Sequence, residues 1–272
     1  MLFVSGEKAE RFSKAMAAGA DVVCIDLEDA VHPDRKADAR YHVLAWLQAH
    51  VPARGGPGVA LRLNGVRTHE GLRDVLALLE SGVKVDWLLL PKVEHAADLQ
   101  VMQAWAGDRF ERLVALIETA EGIENAASIA RAGGQLAALM LGGADLAAEL
   151  DAQFGWDGLL HARGRLVNAA KAAGLQAWDV PHIDLADADG LAAETRRVLA
   201  LGFDCKSAIH PQQISAIHAA FAPSAQELSW AQALLQARPS GQAGGAFIFQ
   251  GRMVDAPVLR KARRIVERSQ LS

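Results

Sequence analysis

Two carboxylates, Glu118 and Asp145, each close an apolar run, in "LVALIE" and "LAALMLGGAD". Their spacing of 27 residues suits one strand-plus-helix step of an alternating chain, which sets them on neighbouring strand ends. Two such carboxylates, with water and substrate oxygens, make a site for Mg²⁺, a hard ion that wants octahedral oxygen and is seldom caged by protein alone. The same residues also have plain structural roles, Glu118 as the cap of the next helix and Asp145 as an acceptor for loop amides. Gly142 and Gly143 precede Asp145 and leave room for a substrate beside the backbone.

Arg62, in "ALRLNG", is a guanidinium set among apolar strand residues. It cannot shed its charge, so inside a fold it must meet an anion. That anion is either Glu28 or Asp29 of "DLEDAV", or a substrate carboxylate or enolate that a fixed cation would stabilise. Asp255, in "MVDAP" ahead of a basic segment, has the Asp-Ala-Pro spacing of a helix N-cap. The nine histidines form no HExxH or His/Cys cluster, which argues against zinc. His210 before Pro211 reads as a helix start. Lys14, Arg35 and Lys36 fall on or near the first two loops, where solvated surface charge is the simplest reading.

Positioning these residues requires a scaffold with many strand ends. Eight strand-length apolar runs recur, over 2–6, 21–29, 58–65, 86–93, 112–122, 136–146, 175–185 and 202–213. Most are continuously apolar, as expected of parallel strands buried on both faces. The segments between them carry helical periodicity, clearest in "HEGLRDVLALLESG". Eight strand–helix repeats predict a (β/α)8 TIM barrel, whose chemistry gathers at the C-terminal ends of its strands. The polar residues there are Asp26, Glu28, Asp29, Arg62, Asn64, Lys92, Glu118, Glu121, Asp145, Asp179, His182, Ser207 and His210. We expect the barrel over 1–222 and a C-terminal linker, lid and helix over 223–272. Within the latter, "SGQAGG" reads as a hinge and "AFIFQG" with "MVDAP" as the lid.

At 272 residues and 51% hydrophobic content, the chain can bury a large single core. Its net charge of −4 supplies no global basic field for nucleic acid. The two cysteines, Cys24 and Cys205, lie outside any CxxC spacing and read as buried free thiols of a reducing compartment. No apolar stretch approaches the ~20 residues of a membrane span, and no signal-peptide pattern opens the chain, so a soluble cytoplasmic protein is expected.

The motifs "LFVSG", "DVVCIDLEDAVHPDRKADAR", "LRLNG", "LLLPKVE", "ALIETAEGI", "LMLGGADLA", "GFDCKSAIHPQQI" and "GAFIFQGRMVDAP" occur in this order. Together they resemble the citrate lyase beta subunit-like (CitE-like) branch of the HpcH/HpaI aldolase and acyl-CoA lyase superfamily, from residue 2 to about 265. The resemblance implies a trimeric barrel that binds Mg²⁺ and a CoA thioester and breaks a C–C bond by retro-Claisen chemistry. It assigns Glu118 and Asp145 to the metal and Arg62 to the substrate and enolate. Glu28 and Asp29 become the acidic pair near Arg62 and the metal waters. Phe3, Lys14, Arg35 and Lys36 fall where relatives hold the CoA nucleotide and pantetheine, and Ile209 and His210 fall beside the CoA arm. Asp255 becomes the acid or base delivered by a neighbouring subunit's lid. Ser5 departs from the family's proline, and Phe3 lacks the phenol some relatives carry. The implied reaction cleaves a 3-hydroxyacyl-CoA such as citramalyl-CoA or malyl-CoA into a 2-oxo acid and acetyl-CoA. The alternatives are a citryl-thioester-cleaving citrate lyase subunit, a CoA-independent aldolase and a non-catalytic metabolite-binding barrel.

Overall fold

The computed structural model describes residues 1–50, 55–237 and 246–270; the expected hinge "SGQAGG" lies outside them. The chain packs as two compact units, Met1–Ile214 and Ser215–Ser272.

The first unit is an eight-stranded parallel sheet in chain order: β1 (Leu2–Ser5), β2 (Val22–Asp26), β3 (Gly58–Arg62), β4 (Val85–Leu90), β5 (Phe110–Ile117), β6 (Leu136–Leu141), β7 (Gln176–Asp179) and β8 (Cys205–Lys206). A parallel bridge between Leu2 and Ala208 closes it into the expected barrel. Phe3 N donates to Ala208 O at 2.9 Å and Ala208 N to Met1 O at 2.8 Å. The outer helices are α1 (Phe12–Met16), α2 (Lys36–Ala49), α3 (His69–Ser81), α4 (Ala96–Ala106), α5 (Ala120–Ile129), α6 (Gly143–Glu149), α7 (Trp156–Ala172) and α8 (Ala188–Leu201). Thr68, Thr119 and Asp187 cap α3, α5 and α8 by accepting backbone N–H bonds that the first turn leaves unpaired. The last apolar run contributes a shorter strand than expected. After Lys206 the chain keeps two ladder bonds, from Ser207 N to Asp179 O and Ala208 N to Met1 O, before His210-Pro211 starts a 3-10 turn.

Strand alternation sorts side chains between two cores. Met1, Cys24, Ala60, Trp87, Leu89, Val114, Leu116, Ala138, Met140 and Trp178 fill the barrel interior, with Phe3 and Cys205 packed against them. The rings of Trp87 and Trp178 meet across it at 5.0 Å. The intervening residues, such as Leu61, Leu88 and Leu139, are fully buried from the other side of the sheet.

The second unit holds most of α9 (Ile214–Phe221), then α10 (Ala225–Gln236), the antiparallel pair β9 (Phe247–Phe249) and β10 (Arg252–Val254), and α11 (Ala256–Ser269). Gln250 and Gly251 turn the hairpin with φ of 49° and 75°, the two left-handed residues of a tight hairpin turn. Ala231, Leu234, Val254, Leu259, Ala262 and Ile265 form this unit's own core.

Candidate active site

The period of two carries inward through the strand ends. Ala60 faces the interior, so Arg62 does; Leu116 does, so Glu118 follows; Cys24 does, so Asp26 follows. Arg62 and Asp26 are register partners on β3 and β2. The guanidinium grips Asp26 in a fork, Nε to Oδ1 at 2.7 Å and Nη2 to Oδ2 at 2.5 Å. Its Nη1 lies 2.9 Å from Glu28 Oε2 and 3.6 Å from Asp29 Oδ2. Asp26 is therefore the main partner, ahead of the Glu28 and Asp29 expected from the sequence. The signal was present, because Asp26 and Arg62 end adjacent strands with the same parity.

Glu118 is 3% exposed, and its Oε1 accepts from Lys92 N at 2.8 Å. It does not cap α5, a role taken by Thr119. Asp145 sits in the first turn of α6, with Oδ2 3.3 Å from Lys92 Nζ. Lys92 Nζ also lies 3.6 Å from Glu28 Oε1, so one ammonium bridges two carboxylates. Lys92 has φ of 53°, a left-handed value uncommon for a side-chain-bearing residue. That conformation aims its N–H at Glu118. Lys92 stood among the strand-end polar residues, but nothing in its local sequence signals the left-handed turn.

Five carboxylates (Asp26, Glu28, Asp29, Glu118 and Asp145) thus surround two cations, Arg62 and Lys92. The excess negative charge is felt where solvent is least available. Burial, then the neighbouring Glu28 and Asp145 charges, push the Glu118 carboxyl up to about 8. Burial, then Asp29, push Glu28 up to about 7 against the opposing pull of Arg62. Glu28 Oε2 is buried and, despite the nearby Arg62 Nη1, makes no well-directed hydrogen bond. Gly142 completes the cradle, since a Cβ there would stand 2.3 Å from Glu118 Cβ and 2.4 Å from its Oε2. Oxygen donors, surplus negative charge and an ammonium already spanning Glu28 and Asp145 all fit a hard divalent cation. Among the described residues no three His, Cys, Asp or Glu side chains form a ready metal cage. A hard cation held by two carboxylates would complete its shell with water and substrate oxygens.

Phe3 lies within the barrel mouth, its ring 5.3 Å from the Arg62 guanidinium. Lys14 and Arg35 are exposed, Arg35 paired with Asp38 at 3.4 Å. Lys36 is turned inward, Nζ donating to Leu27 O at 2.8 Å and Glu28 O at 2.6 Å. It therefore fixes the loop that presents Glu28 and Asp29. Ile209 is exposed and His210 caps the 3-10 turn, its Nδ1 accepting from Gln212 N. Asp255 caps α11 within the C-terminal unit, its Oδ1 accepting from Val258 N at 3.3 Å.

Asp179 and His182, two of the strand-end candidates, belong elsewhere. Trp178 points inward, so Asp179 points outward, fully buried against Arg163 Nε and Lys206 Nζ at 2.8 Å each. Lys206 also binds Glu194, which meets His182 Nδ1 at 3.3 Å. These residues form an ion network between sheet and helices.

Comparison with known proteins places the chain. The profile of the HpcH/HpaI aldolase/citrate lyase family matches residues 1–211, and that of a C–C bond lyase of the TIM-barrel fold matches residues 166–272. The citrate lyase subunit beta of Leuconostoc mesenteroides subsp. cremoris is 34% identical, over 98% of this chain and 91% of its own. The human mitochondrial citramalyl-CoA lyase is 33% identical, over 98% of this chain and 84% of its own. A crystal structure of the CitE protein of Mycobacterium tuberculosis, in complex with magnesium, acetoacetate and coenzyme A, superposes with a TM-score of 0.85 at 36% identity, covering 99% of this chain and 97% of that one. The chain belongs to the HpcH/HpaI aldolase/citrate lyase family.

Proposed function

We propose that the protein is a Mg²⁺-dependent carbon–carbon lyase that cleaves a 3-hydroxyacyl-CoA, such as citramalyl-CoA or malyl-CoA, into a 2-oxo acid and acetyl-CoA. The observation that carries this reading is the convergence of Arg62 at the end of β3, Glu118 just after β5 and Asp145 in the first turn of α6, in a cluster with surplus negative charge. Glu118 and Asp145 would hold Mg²⁺, which when bound supplies Lewis-acid polarisation of substrate oxygens. Arg62, held rigid by Asp26, presents a fixed positive charge toward the enolate of the departing acetyl thioester. Asp26, Glu28 and Asp29 keep the guanidinium in place, and Phe3 lies against it at the entrance used by the thioester. Lys14, Arg35 and Lys36, with Ile209 and His210, are the proposed contacts of the CoA nucleotide and arm.

The enolate carbon must be protonated, and Asp255 is the proposed acid, supplied by a neighbouring chain in a homotrimer. Ile248 and Met253 support that assembly. They are paired across the hairpin and largely exposed, as suits a surface another chain covers. The proposed boundary between barrel and lid segment is residue 222. Cys24 and Cys205 are free thiols, which supports a cytoplasmic setting. No helix among the described residues is long and apolar enough to cross a membrane.

The test is a coupled assay of purified protein with Mg²⁺ against (S)- and (R)-citramalyl-CoA, malyl-CoA and citryl-CoA, each with an EDTA control. Turnover of one of these, lost in EDTA, is expected; full activity in EDTA would refute the metal assignment. The likeness to the Leuconostoc subunit favours a second reading, cleavage of a citryl thioester carried by a partner subunit. Activity on citryl-CoA alone, enhanced when the thioester is presented on an acyl-carrier protein, would select it.

A further inference from the structure

We infer that Gln213 is a positioning residue, which locks the loops after β7 and β8 together so that Ile209 forms one fixed wall of the path taken by the thioester's pantetheine arm. The inference rests on the proposed CoA-thioester reading for the location of that arm.

Gln213 is 2% exposed, and its amide is committed in both directions. Oε1 accepts from Ile209 N at 2.9 Å and from His210 N at 3.3 Å. Nε2 donates to His182 O at 2.7 Å. One buried side chain thus satisfies two N–H groups of the β8 loop and a carbonyl of the β7 loop, groups that would otherwise be unpaired. The neighbouring Gln212 adds a second tie, Nε2 to Leu185 O at 2.9 Å. His182 is itself anchored through Glu194 to Lys206 on β8. The β8 loop is fixed on its other side by the barrel closure, Phe3 N to Ala208 O.

Residue 209 is held between these two anchors. Its backbone N–H turns toward Gln213, while its apolar side chain remains 42% exposed. Residue 208 pairs with β1, which carries Phe3, and the Phe3 ring lies against Arg62. Ile209 therefore stands one residue past the residue that bridges to the Phe3 strand, beside the route proposed above for the arm toward Arg62. An exposed isoleucine whose backbone N–H is held by a buried glutamine that also ties His210 N and His182 O suits a ligand's apolar wall better than a free surface loop. Fixing it beforehand reduces the ordering that binding must accomplish.

The experiment compares wild type with Gln213→Met, Gln213→Glu and Ile209→Ala on two substrates: the full acyl-CoA and the same acyl group on N-acetylcysteamine, which lacks most of the arm. Gln213→Met removes all three bonds, Gln213→Glu keeps the acceptors but sets a carboxylate against the His182 carbonyl, and Ile209→Ala trims only an exposed side chain. KM for the acyl-CoA should rise about 10-fold in the Gln213 variants and in Ile209→Ala, with kcat held within about twofold. The kcat/KM for the truncated thioester should not change. Equal losses on both substrates, a fall confined to kcat, or wild-type kinetics in Ile209→Ala would overturn the inference. Calorimetric titration with CoA separates it from the reaction itself. A wild type that binds CoA without cleaving any thioester refutes the lyase reading, while the tenfold affinity loss on Gln213→Met or Ile209→Ala still decides the role of Gln213. A wild type that binds no CoA overturns both.

Discussion

Replacing Glu118 with glutamine should stabilise the metal-free protein while destroying the proposed metal site. The carboxyl is buried beside Glu28 and Asp145 and is pushed up to about 8, whereas an unfolded glutamate titrates near 4.5. Between those two values the folded state holds a proton that the unfolded state has released. Stability from this site is therefore intact below about pH 4.5, declines as pH rises, and is fully lost above about 8. Forcing the charge into the fold costs up to about 5 kcal/mol, at about 1.4 kcal/mol per pH unit across that interval. Glutamine carries no charge in either state, and its carbonyl can still accept from Lys92 N. At roughly 2 °C per kcal/mol for a chain of this size, Glu118→Gln should melt up to about 10 °C above wild type at pH 9 in EDTA. The two should coincide near pH 5. Thermal melts followed by circular dichroism across that range, with and without Mg²⁺, make the test. Mg²⁺ should raise the wild-type melting temperature at pH 9 and leave Glu118→Gln unmoved. If the variant's advantage in EDTA does not grow with pH, the charge-crowding account of this site is wrong.

Three further outcomes are expected. Arg62→Lys keeps the charge but loses the fork on Asp26, and turnover in the coupled assay should fall at least about 100-fold. Gly142→Ala removes no donor, yet its Cβ would displace Glu118; Mg²⁺ affinity by calorimetry should drop 10-fold or more, and unchanged affinity would dismiss the cradle. Asp255→Asn keeps the cap on α11 and should melt with wild type, whereas Asp255→Ala should lose about 1 kcal/mol. Turnover should fall in both, and an asparagine variant with full activity would remove Asp255 from the chemistry.

The architecture was legible because continuous apolar runs and helical periodicity repeat eight times, and those signals are local. Glu118, Arg62 and Asp145 were legible because each is a polar residue where an apolar run stops. Runs alone do not report which side of the sheet a terminal residue faces. Asp179 looked equivalent to Glu118, but Trp178 occupies the interior position beside it and turns the carboxylate toward Arg163. Counting by twos from the strand interiors would have separated them. The importance of Lys92 was not legible by that route, since it rests on a left-handed backbone that only the surrounding packing imposes. Asp255 illustrates a different limit. Its capping role follows from Asp-Ala-Pro, but the action proposed for it on another chain would leave no additional local mark.

The strand ends thus carry two electrostatic systems separated by the thickness of one backbone. Arg62 and Glu118 belong to the interior system, while Asp179 and Lys206 belong to the network beneath the helices. Because the side-chain period is two, gaining or losing a single residue within β7 or β8 would exchange their sides and bring a lysine or aspartate into the barrel mouth. Substitutions here can be explored gradually in evolution, but length changes cannot. The lengths of these two short strands should therefore drift far less than the lengths of the loops that follow them, even where the acyl group accepted by the site has changed.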